Sequence, residues 1–96
     1  MRDKFRWNDE GNFESRDKTL YCALKLNGFN ILNDNTYWDD KNSSMYYIVN
    51  VGKDEERVKI EEIVGLFLSR TLSLNTYGYD RESTNFKRML DKYRSR

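Results

Sequence analysis

The chain has 96 residues with a formal net charge of +1, and it contains no His, no Pro and a single Cys, Cys22. The lack of imidazole excludes a His-based general acid or base, a Ser-His or Cys-His nucleophile and a zinc site with His ligands, and one Cys excludes an intramolecular disulfide. The length predicts one domain over residues 1–96, with a core near the lower limit for independent stability.

The N-terminal segment, residues 1–16, predicts a short hairpin or an ordered β-arm. Residues 5–7 alternate between aromatic and basic side chains, and the polar residues 8–11 have the composition of a turn. The first residues are charged and lack the apolar stretch of a secretory signal. Together with the single Cys, this start favours a cytoplasmic protein.

The next segment predicts a helix over residues 18–27. Asp17 has a side chain suited to an N-cap, and Gly28 is suited to end the helix. Leu20 and Leu24 lie one helical turn apart and define its apolar face. A helix of this length needs the core to stabilise it.

Residues 36–60 predict a three-stranded antiparallel meander. Residues 36–38 and 45–51 are rich in aromatic and β-branched side chains, and the polar segment between them predicts a turn. The third strand is predicted at residues 57–60, where apolar and basic side chains alternate. This alternation predicts that one face of the sheet is solvated.

Two further helices are predicted over residues 61–74 and 81–95. The first carries apolar side chains at helical spacing, so it is predicted to be the core helix on the dry face of the sheet, with Phe67 at its centre. Gly65 is expected to allow a close approach between this helix and the sheet. The order of elements predicts an α+β fold, in which a layer of helices packs on an antiparallel sheet.

Charge is unevenly distributed along the chain. Residues 34–62 contain 8 acidic and 4 basic residues, whereas residues 81–96 contain 6 basic and 2 acidic ones. Arg88 and Lys92 in the basic segment are suited to phosphate contacts, but basic residues near a helix C-terminus also stabilise the helix dipole. We therefore expect nucleic-acid binding that is weak and is lost near physiological ionic strength.

Adjacent carboxylate pairs at residues 39–40, 55–56 and 61–62 are candidates for a metal site. Neighbouring side chains point to opposite faces of a strand and diverge by roughly 100° on a helix, so none of these pairs is expected to bind a metal ion. With no metal site, no cofactor motif and no catalytic constellation in the sequence, the chain is not predicted to be an enzyme.

Aromatic residues are the most distinctive part of the composition, with 7 Tyr, 5 Phe and 2 Trp. Tyr and Trp provide a large contact area at low entropic cost and are enriched at the energetic centres of interfaces. Tyr77 and Tyr79 flank Gly78 in a segment without apolar periodicity, which predicts an exposed linker. The candidate partner-binding residues are Tyr77, Tyr79, Trp38, Tyr46, Arg88 and Lys92.

These observations predict a small protein that binds another protein. In size and in its Asn- and Tyr-rich composition, the chain resembles the small accessory proteins of bacteriophages and mobile elements. Many of those proteins inhibit a host enzyme or a defence complex, as anti-CRISPR proteins do, and the resemblance implies the same role in the host cytoplasm. The alternative is a nucleic-acid-binding accessory or regulatory protein that uses the C-terminal helix with Arg2, Lys4 and Arg6. No membrane partner is predicted, and a monomer and a homodimer are both open.

Overall fold

The computed structural model describes residues 4–94, which form an antiparallel sheet and a set of helices. The strands are β1 (Phe5–Trp7), β2 (Phe13–Ser15), β3 (Thr36–Asp39) and β4 (Ser44–Val49), and the helices are α1 (Lys18–Leu26), α2 (Asp54–Leu68) and α3 (Thr76–Arg94). This is the α+β class that the sequence predicts. Arg2 and the last residue of the predicted C-terminal helix lie outside the described residues.

The sheet has the order β1-β2-β4-β3 within the described residues, and each neighbouring pair is antiparallel. The hairpin predicted within residues 1–16 is confirmed as β1 and β2, and β3 and β4 confirm the first two strands of the predicted meander. The N-terminal hairpin joins them by pairing β2 with β4, with Phe13 opposite Val49. The sheet is therefore assembled from two hairpins that α1 separates in sequence.

Alternation along the strands gives the sheet two different faces. Phe13, Tyr47 and Val49 point to the side that carries the helices and belong to the hydrophobic core. Arg6 and Glu14 are paired across β1 and β2, and because they alternate with core residues they lie on the opposite side. This second side is called the outer face of the sheet below.

The core helix is α1. Asp17 caps its N-terminus by accepting a hydrogen bond from the backbone of the first turn at 3.0 Å, and Gly28 adopts a left-handed φ of 91° just beyond its end. Residues 20–24 are wholly buried, and at roughly 100° per residue they cover the full circumference of the helix. The sheet, α2 and α3 surround α1, and its Tyr21 ring lies 5.3 Å from that of Tyr47 in β4. The predicted first helix is thus confirmed.

The third strand predicted at residues 57–60 is wrong, because these residues are helical in α2. Glu56 Oε1 accepts hydrogen bonds from the backbone N–H groups of Gly52 and Lys53 at 3.0 and 3.1 Å, which caps the start of the helix. Acidic residues in the first turn add a favourable interaction with the helix dipole. The four-residue alternation at 57–60 is too short to outweigh this cap and the acidic first turn. Because these residues are helical, Val58 lies on the solvent side of α2.

The prediction that residues 61–74 form the core helix, centred on Phe67, is also wrong. The helix ends before the predicted boundary, its buried residues are Ile60 and Ile63, and Phe67 is partly buried. Because α1 occupies the centre of the molecule, α2 packs against α1. Gly65 does not approach the sheet, since a Cβ atom at this position would meet no neighbouring group within 4 Å.

The last helix, α3, begins earlier than the helix predicted over residues 81–95. Asn75 caps it, because its Oδ1 accepts a hydrogen bond from the Gly78 N–H at 3.0 Å. Residues 76–80 therefore form the first turn of α3, so the prediction of a linker is wrong there, whereas Tyr77 is exposed as predicted. A Cβ atom at Gly78 would lie 2.6 Å from Leu26 Cδ2. Gly78, which in the sequence is typical of a linker, therefore lies at the close contact between α1 and α3.

Two buried tyrosines offer a matched test of hydrogen bonding in the core. The Tyr47 hydroxyl donates to the Asp17 carbonyl oxygen at 2.7 Å, whereas the buried Tyr21 hydroxyl has no hydrogen-bond partner within the described residues. We expect Tyr47→Phe to lower the free energy of unfolding by ~1–2 kcal/mol, and Tyr21→Phe to leave it unchanged or raise it. Urea titrations followed by circular dichroism measure both changes. An equal loss in the two variants would contradict the hydrogen bond assigned to Tyr47.

Candidate functional site

The exposed side of α3 carries Tyr77, Arg88 and Lys92 from the predicted partner-binding residues. These side chains and that of Arg81 are exposed, and their spacing places them along one side of the helix. The opposite side of α3 faces the core, where Phe86 is buried. The side formed by Tyr77, Arg81, Arg88 and Lys92 is called the α3 outer face below.

Tyr77 is the most exposed large apolar side chain among the described residues, at 87%. It lies in a helical turn that is held by the Asn75 cap and by the packing of Gly78 against Leu26. A Tyr on a fixed turn orders little additional backbone when it binds a partner. An exposed and rigidly mounted aromatic side chain is typical of an interface anchor.

The cations of the α3 outer face are partly engaged within the protein. Arg81 Nε lies 3.2 Å from Glu82 Oε2, and Lys92 Nζ donates to the Asn33 carbonyl oxygen at 2.8 Å. The Lys92 hydrogen bond joins α3 to the loop that precedes β3. The face carries three cations, but the exposed carboxylates of Asp80 and Asp91 lie on the same side of the helix and Lys92 is held by the loop, which reduces the positive charge available to a polyanion.

Trp38 and Tyr79 are partly buried and pack against the hydrophobic core, so they do not share the exposure of Tyr77. Trp38 stacks on Tyr93 of α3 with ring centroids 5.7 Å apart. The Thr36 and Tyr93 hydroxyls share a hydrogen bond at 2.6 Å. These contacts hold the C-terminal half of α3 on β3, so Trp38 positions the helix that carries the α3 outer face.

Tyr46, the remaining predicted residue, lies on the outer face of the sheet and is only 4% exposed. The Tyr37 ring stacks on it at 5.4 Å with an angle of 7° between the planes. The Arg6 guanidinium lies 5.2 Å from the centroid of the Tyr46 ring. A partner would reach Tyr46 only after these two side chains move, and the structure does not bring Tyr46 onto the α3 outer face.

A polar network on the outer face of the sheet is centred on the Glu14 carboxylate. Glu14 Oε1 accepts hydrogen bonds from Arg6 Nε at 3.0 Å and from the Tyr37 hydroxyl at 2.7 Å. Glu14 Oε2 accepts a hydrogen bond from Asn8 Nδ2 at 2.9 Å. We call Arg6, Asn8, Glu14, Tyr37 and Tyr46 the outer-sheet network. The sequence shows only its local part, the polar alternation in the first hairpin, because Tyr37 and Tyr46 come from the second hairpin.

The protonation states of Glu14 and Tyr37 in the outer-sheet network are fixed near neutral pH. Burial alone would raise the pKa of Glu14, but hydrogen bonds from Asn8, Tyr37 and Arg6 outweigh it and lower this pKa below its ordinary value. Burial and the hydrogen bond to Glu14 raise the pKa of Tyr37 to about 12. General acid–base catalysis needs groups with a pKa near the working pH, so this arrangement fits a structural role.

Cys22 lies in α1 and is buried, which raises the pKa of its thiol to about 11. A protonated and buried thiol is a poor nucleophile. Within residues 4–94, His, Cys, Asp and Glu side chains do not come together in groups of three or more that could hold a metal ion. Residues of the adjacent carboxylate pairs have structural partners. Glu56 caps α2, and Glu61 Oε1 accepts a hydrogen bond from Arg57 Nε at 3.1 Å.

The solvent side of α2 is a surface that sequence reasoning missed. Val58 is 56% exposed, Leu66 47% and Leu68 62%. Gly65 is exposed on the same helix. The sequence signal for this surface is that apolar residues occur on more than one side of the helix. These residues are interspersed in sequence with those of the buried stripe, so the pattern as a whole is assigned to the core. We call Val58, Gly65, Leu66 and Leu68 the α2 outer face.

Comparison of the whole chain with protein-family models, with curated proteins and with solved structures finds no match. Among the helices of the described residues, none combines the length and the apolar character that a membrane crossing requires. The surfaces described above are therefore the basis for a functional proposal.

Proposed function

We propose that the chain is a non-catalytic protein-binding protein and that the α3 outer face is its contact surface. The exposure of Tyr77 carries this proposal, because a large aromatic side chain that is 87% exposed contributes little to the packing of the fold. Arg88 and Lys92 extend the surface along the helix, and Tyr and Arg are enriched among the residues that dominate binding energy. The basic side chains fit an acidic surface on the partner.

The proposed partner is an enzyme or a defence complex in the cytoplasm of a host cell, and the proposed role is inhibition. The length of 96 residues and the composition rich in Asn and Tyr support this role, since small accessory proteins of bacteriophages and mobile elements, such as anti-CRISPR proteins, share them. An inhibitor of this kind acts by covering a functional surface of its target, so it needs no catalytic group of its own.

Nucleic acid is the alternative partner, and the position of Arg88 and Lys92 on one side of α3 favours it. A protein that neutralises about six or more phosphates loses roughly a thousandfold in affinity between about 50 and 200 mM salt. We expect binding to duplex or single-stranded nucleic acid to be weak and to vanish near physiological salt, because Arg81 and Lys92 are engaged within the fold. Sub-micromolar affinity at that salt, lost in Arg88→Ala and Lys92→Ala, would make nucleic acid the partner instead.

Tyr77→Ala is the central test of the proposed function. The tagged protein is used to capture its target from a nuclease-treated lysate of the native cell or host, and the affinity for the purified target is then measured. We expect Tyr77→Ala to lower this affinity by ~2 kcal/mol or more, which is about thirtyfold, because interface energy concentrates in a few aromatic anchors. The melting temperature is expected to stay unchanged, since the side chain is exposed.

Leu66→Ala is the matched control, because Leu66 is another exposed apolar side chain but lies on α2, outside the α3 outer face. The control variant is expected to bind the target with the affinity of the wild type. Wild-type affinity in Tyr77→Ala, or an equal loss in both variants, would show that the α3 outer face is not the contact surface.

A further inference from the structure

The α2 outer face has a composition unlike that of the α3 outer face. We propose that it docks a positively charged amphipathic helix of another protein. This surface is separate from the α3 outer face, so the proposal stands independently of the function proposed for Tyr77.

Exposed apolar side chains lie at two places on the α2 outer face, Val58 near its start and Leu66 and Leu68 on either side of Gly65. Val58, Leu66 and Leu68 are between 47% and 62% exposed, while Ile60 and Ile63 already fill the inward side of the helix. A helix that packs on one side normally carries polar residues on the other, so the exposed leucines that flank Gly65 mark a candidate contact surface. Contact with a partner would remove this apolar surface from water.

Gly65 lies in the middle of the same helix, where glycine is a poor helix former. The fold does not require it, because a Cβ atom at Gly65 would meet no neighbouring group within 4 Å. The missing side chain leaves a shallow notch on the solvent side of α2, next to Leu68 in the following turn. The distance between packed helices depends on the side chains at their contact, so such a notch allows the backbone of a partner helix to come close.

The charge beside these apolar side chains is negative. Exposed carboxylates lie on the same side of α2 in two pairs, one in the first turn before Val58 and one between Val58 and Gly65. These residues are Asp54, Glu55, Glu61 and Glu62. A partner helix with Lys or Arg beside its apolar stripe would complement this surface.

The basic residues that α2 contributes are held by contacts within the protein. The Arg57 guanidinium lies 4.3 Å from the centroid of the Trp7 ring and pairs with Glu61. Lys59 Nζ donates to the Asn27 carbonyl oxygen at 3.1 Å. Arg57 offsets the charge of Glu61, and Lys59 is drawn toward the Asn27 carbonyl oxygen. Asp54, Glu55 and Glu62 are exposed on the same helix, so the α2 outer face keeps an excess of negative charge.

The charge and shape of this surface favour a partner helix over other occupants. Pairing of α2 with α2 of a second copy would bring like charges together, and an anionic membrane or nucleic acid would be repelled. The α3 outer face of a second copy has the opposite charge, but Tyr77 is its one large apolar side chain among the described residues, against three on α2. An amphipathic helix matches both the charge and the apolar area.

The test uses the full chain and two synthetic helical peptides of equal length. One peptide carries a Leu stripe flanked by Lys and Arg, and the other carries the same stripe flanked by Glu. We expect fluorescence anisotropy to show at least about tenfold tighter binding of the basic peptide. Amide chemical-shift changes in NMR spectra are expected to concentrate on α2.

Gly65→Ala separates docking from folding. The melting temperature is expected to rise, because Ala is the better helix former and the position is open. The affinity for the basic peptide is expected to fall at least about tenfold, because the added methyl group fills the notch. Val58→Ser is expected to weaken binding by a similar factor, whereas the controls Leu32→Ser and Tyr77→Ala are expected to leave it unchanged.

Several results would overturn the proposal. The basic peptide does not bind, or the two peptides bind with equal affinity. Gly65→Ala and Val58→Ser leave the affinity unchanged, or the chemical-shift changes lie on α3. Concentration-dependent self-association of the chain that is lost in Val58→Ser would show that a second copy occupies the surface. Loss of target binding in Tyr77→Ala with unchanged peptide binding would leave both surfaces assigned as proposed.

Discussion

Replacing Phe13 with Ala is expected to lower the free energy of unfolding by ~3–5 kcal/mol. Phe13 is wholly buried on β2, and its ring lies 5.9 Å from that of Phe5 and 5.3 Å from that of Trp7. It also stands opposite Val49, so its removal opens a cavity where the N-terminal hairpin joins the rest of the sheet. A domain of this size has a stability on the order of 5 kcal/mol, so most of it would be lost. Urea titration followed by circular dichroism measures the change.

Phe67→Ala is the matched control, because it removes the same side chain from a partly buried position on α2. We expect it to cost ~1–2 kcal/mol, less than the loss in Phe13→Ala. The sequence pattern alone predicts the larger loss at Phe67, so the order of the two variants tests the packing directly. If Phe13→Ala does not fold, Phe13→Leu retains enough volume to be measured. A larger loss in Phe67→Ala than in Phe13→Ala would place the centre of the core at α2.

Removal of the Glu14 carboxylate is expected to have the second-largest effect on stability, a loss of ~2–3 kcal/mol in Glu14→Ala. The variant leaves Tyr37 and Asn8 without their acceptor on the outer face of the sheet, and a hydrogen bond to a charged group contributes about 1.5 kcal/mol or more. The Arg6 side chain is 58% exposed and forms hydrogen bonds to water in the variant, so the loss of its ion pair adds little to the loss of stability. Thermal unfolding at neutral pH measures the loss, and no loss would mean that the network does not stabilise the fold.

The stabilisation by Glu14 is expected to depend on pH. Its folded-state pKa lies below the ordinary value of 4.5, so folding favours the ionised carboxylate. The stabilisation is therefore complete above the unfolded-state pKa and is lost as the pH falls through the folded-state pKa. The difference in unfolding free energy between the wild type and Glu14→Gln is expected to be constant near neutral pH and to shrink below about pH 4.5. A difference that grows on acidification would contradict the network.

Local signals in the sequence were sufficient for α1 and for the two hairpins. Asp17 and Gly28 mark the ends of α1 through a side-chain cap and a left-handed backbone, and both depend only on neighbouring residues. The polar turn after residues 5–7 and the aromatic strand at Ser44–Val49 are likewise local patterns. The α+β class follows from these elements.

The packing order of the helices depended on the tertiary structure. Phe67 and Leu20 both lie on apolar stripes with helical spacing, but a single helix can occupy the centre of the molecule, and α1 occupies it. Gly78 has the local character of a linker residue, and its role becomes visible only where Leu26 packs against it. The burial of a residue is a property of all elements around it, so periodicity alone does not rank one stripe above another.

The same distinction applies to the candidate surfaces. Helical periodicity alone places Arg88 and Lys92 on one side of their helix, because their spacing is close to one turn. The low exposure of Tyr46 depended on Arg6 and Tyr37, whose side chains extend from β1 and β3 and cover its ring. Sequence therefore determined which aromatic and charged residues were available and how they are spaced along each element. Tertiary structure decided their exposure, because side chains from distant segments fill or leave open the space above each residue.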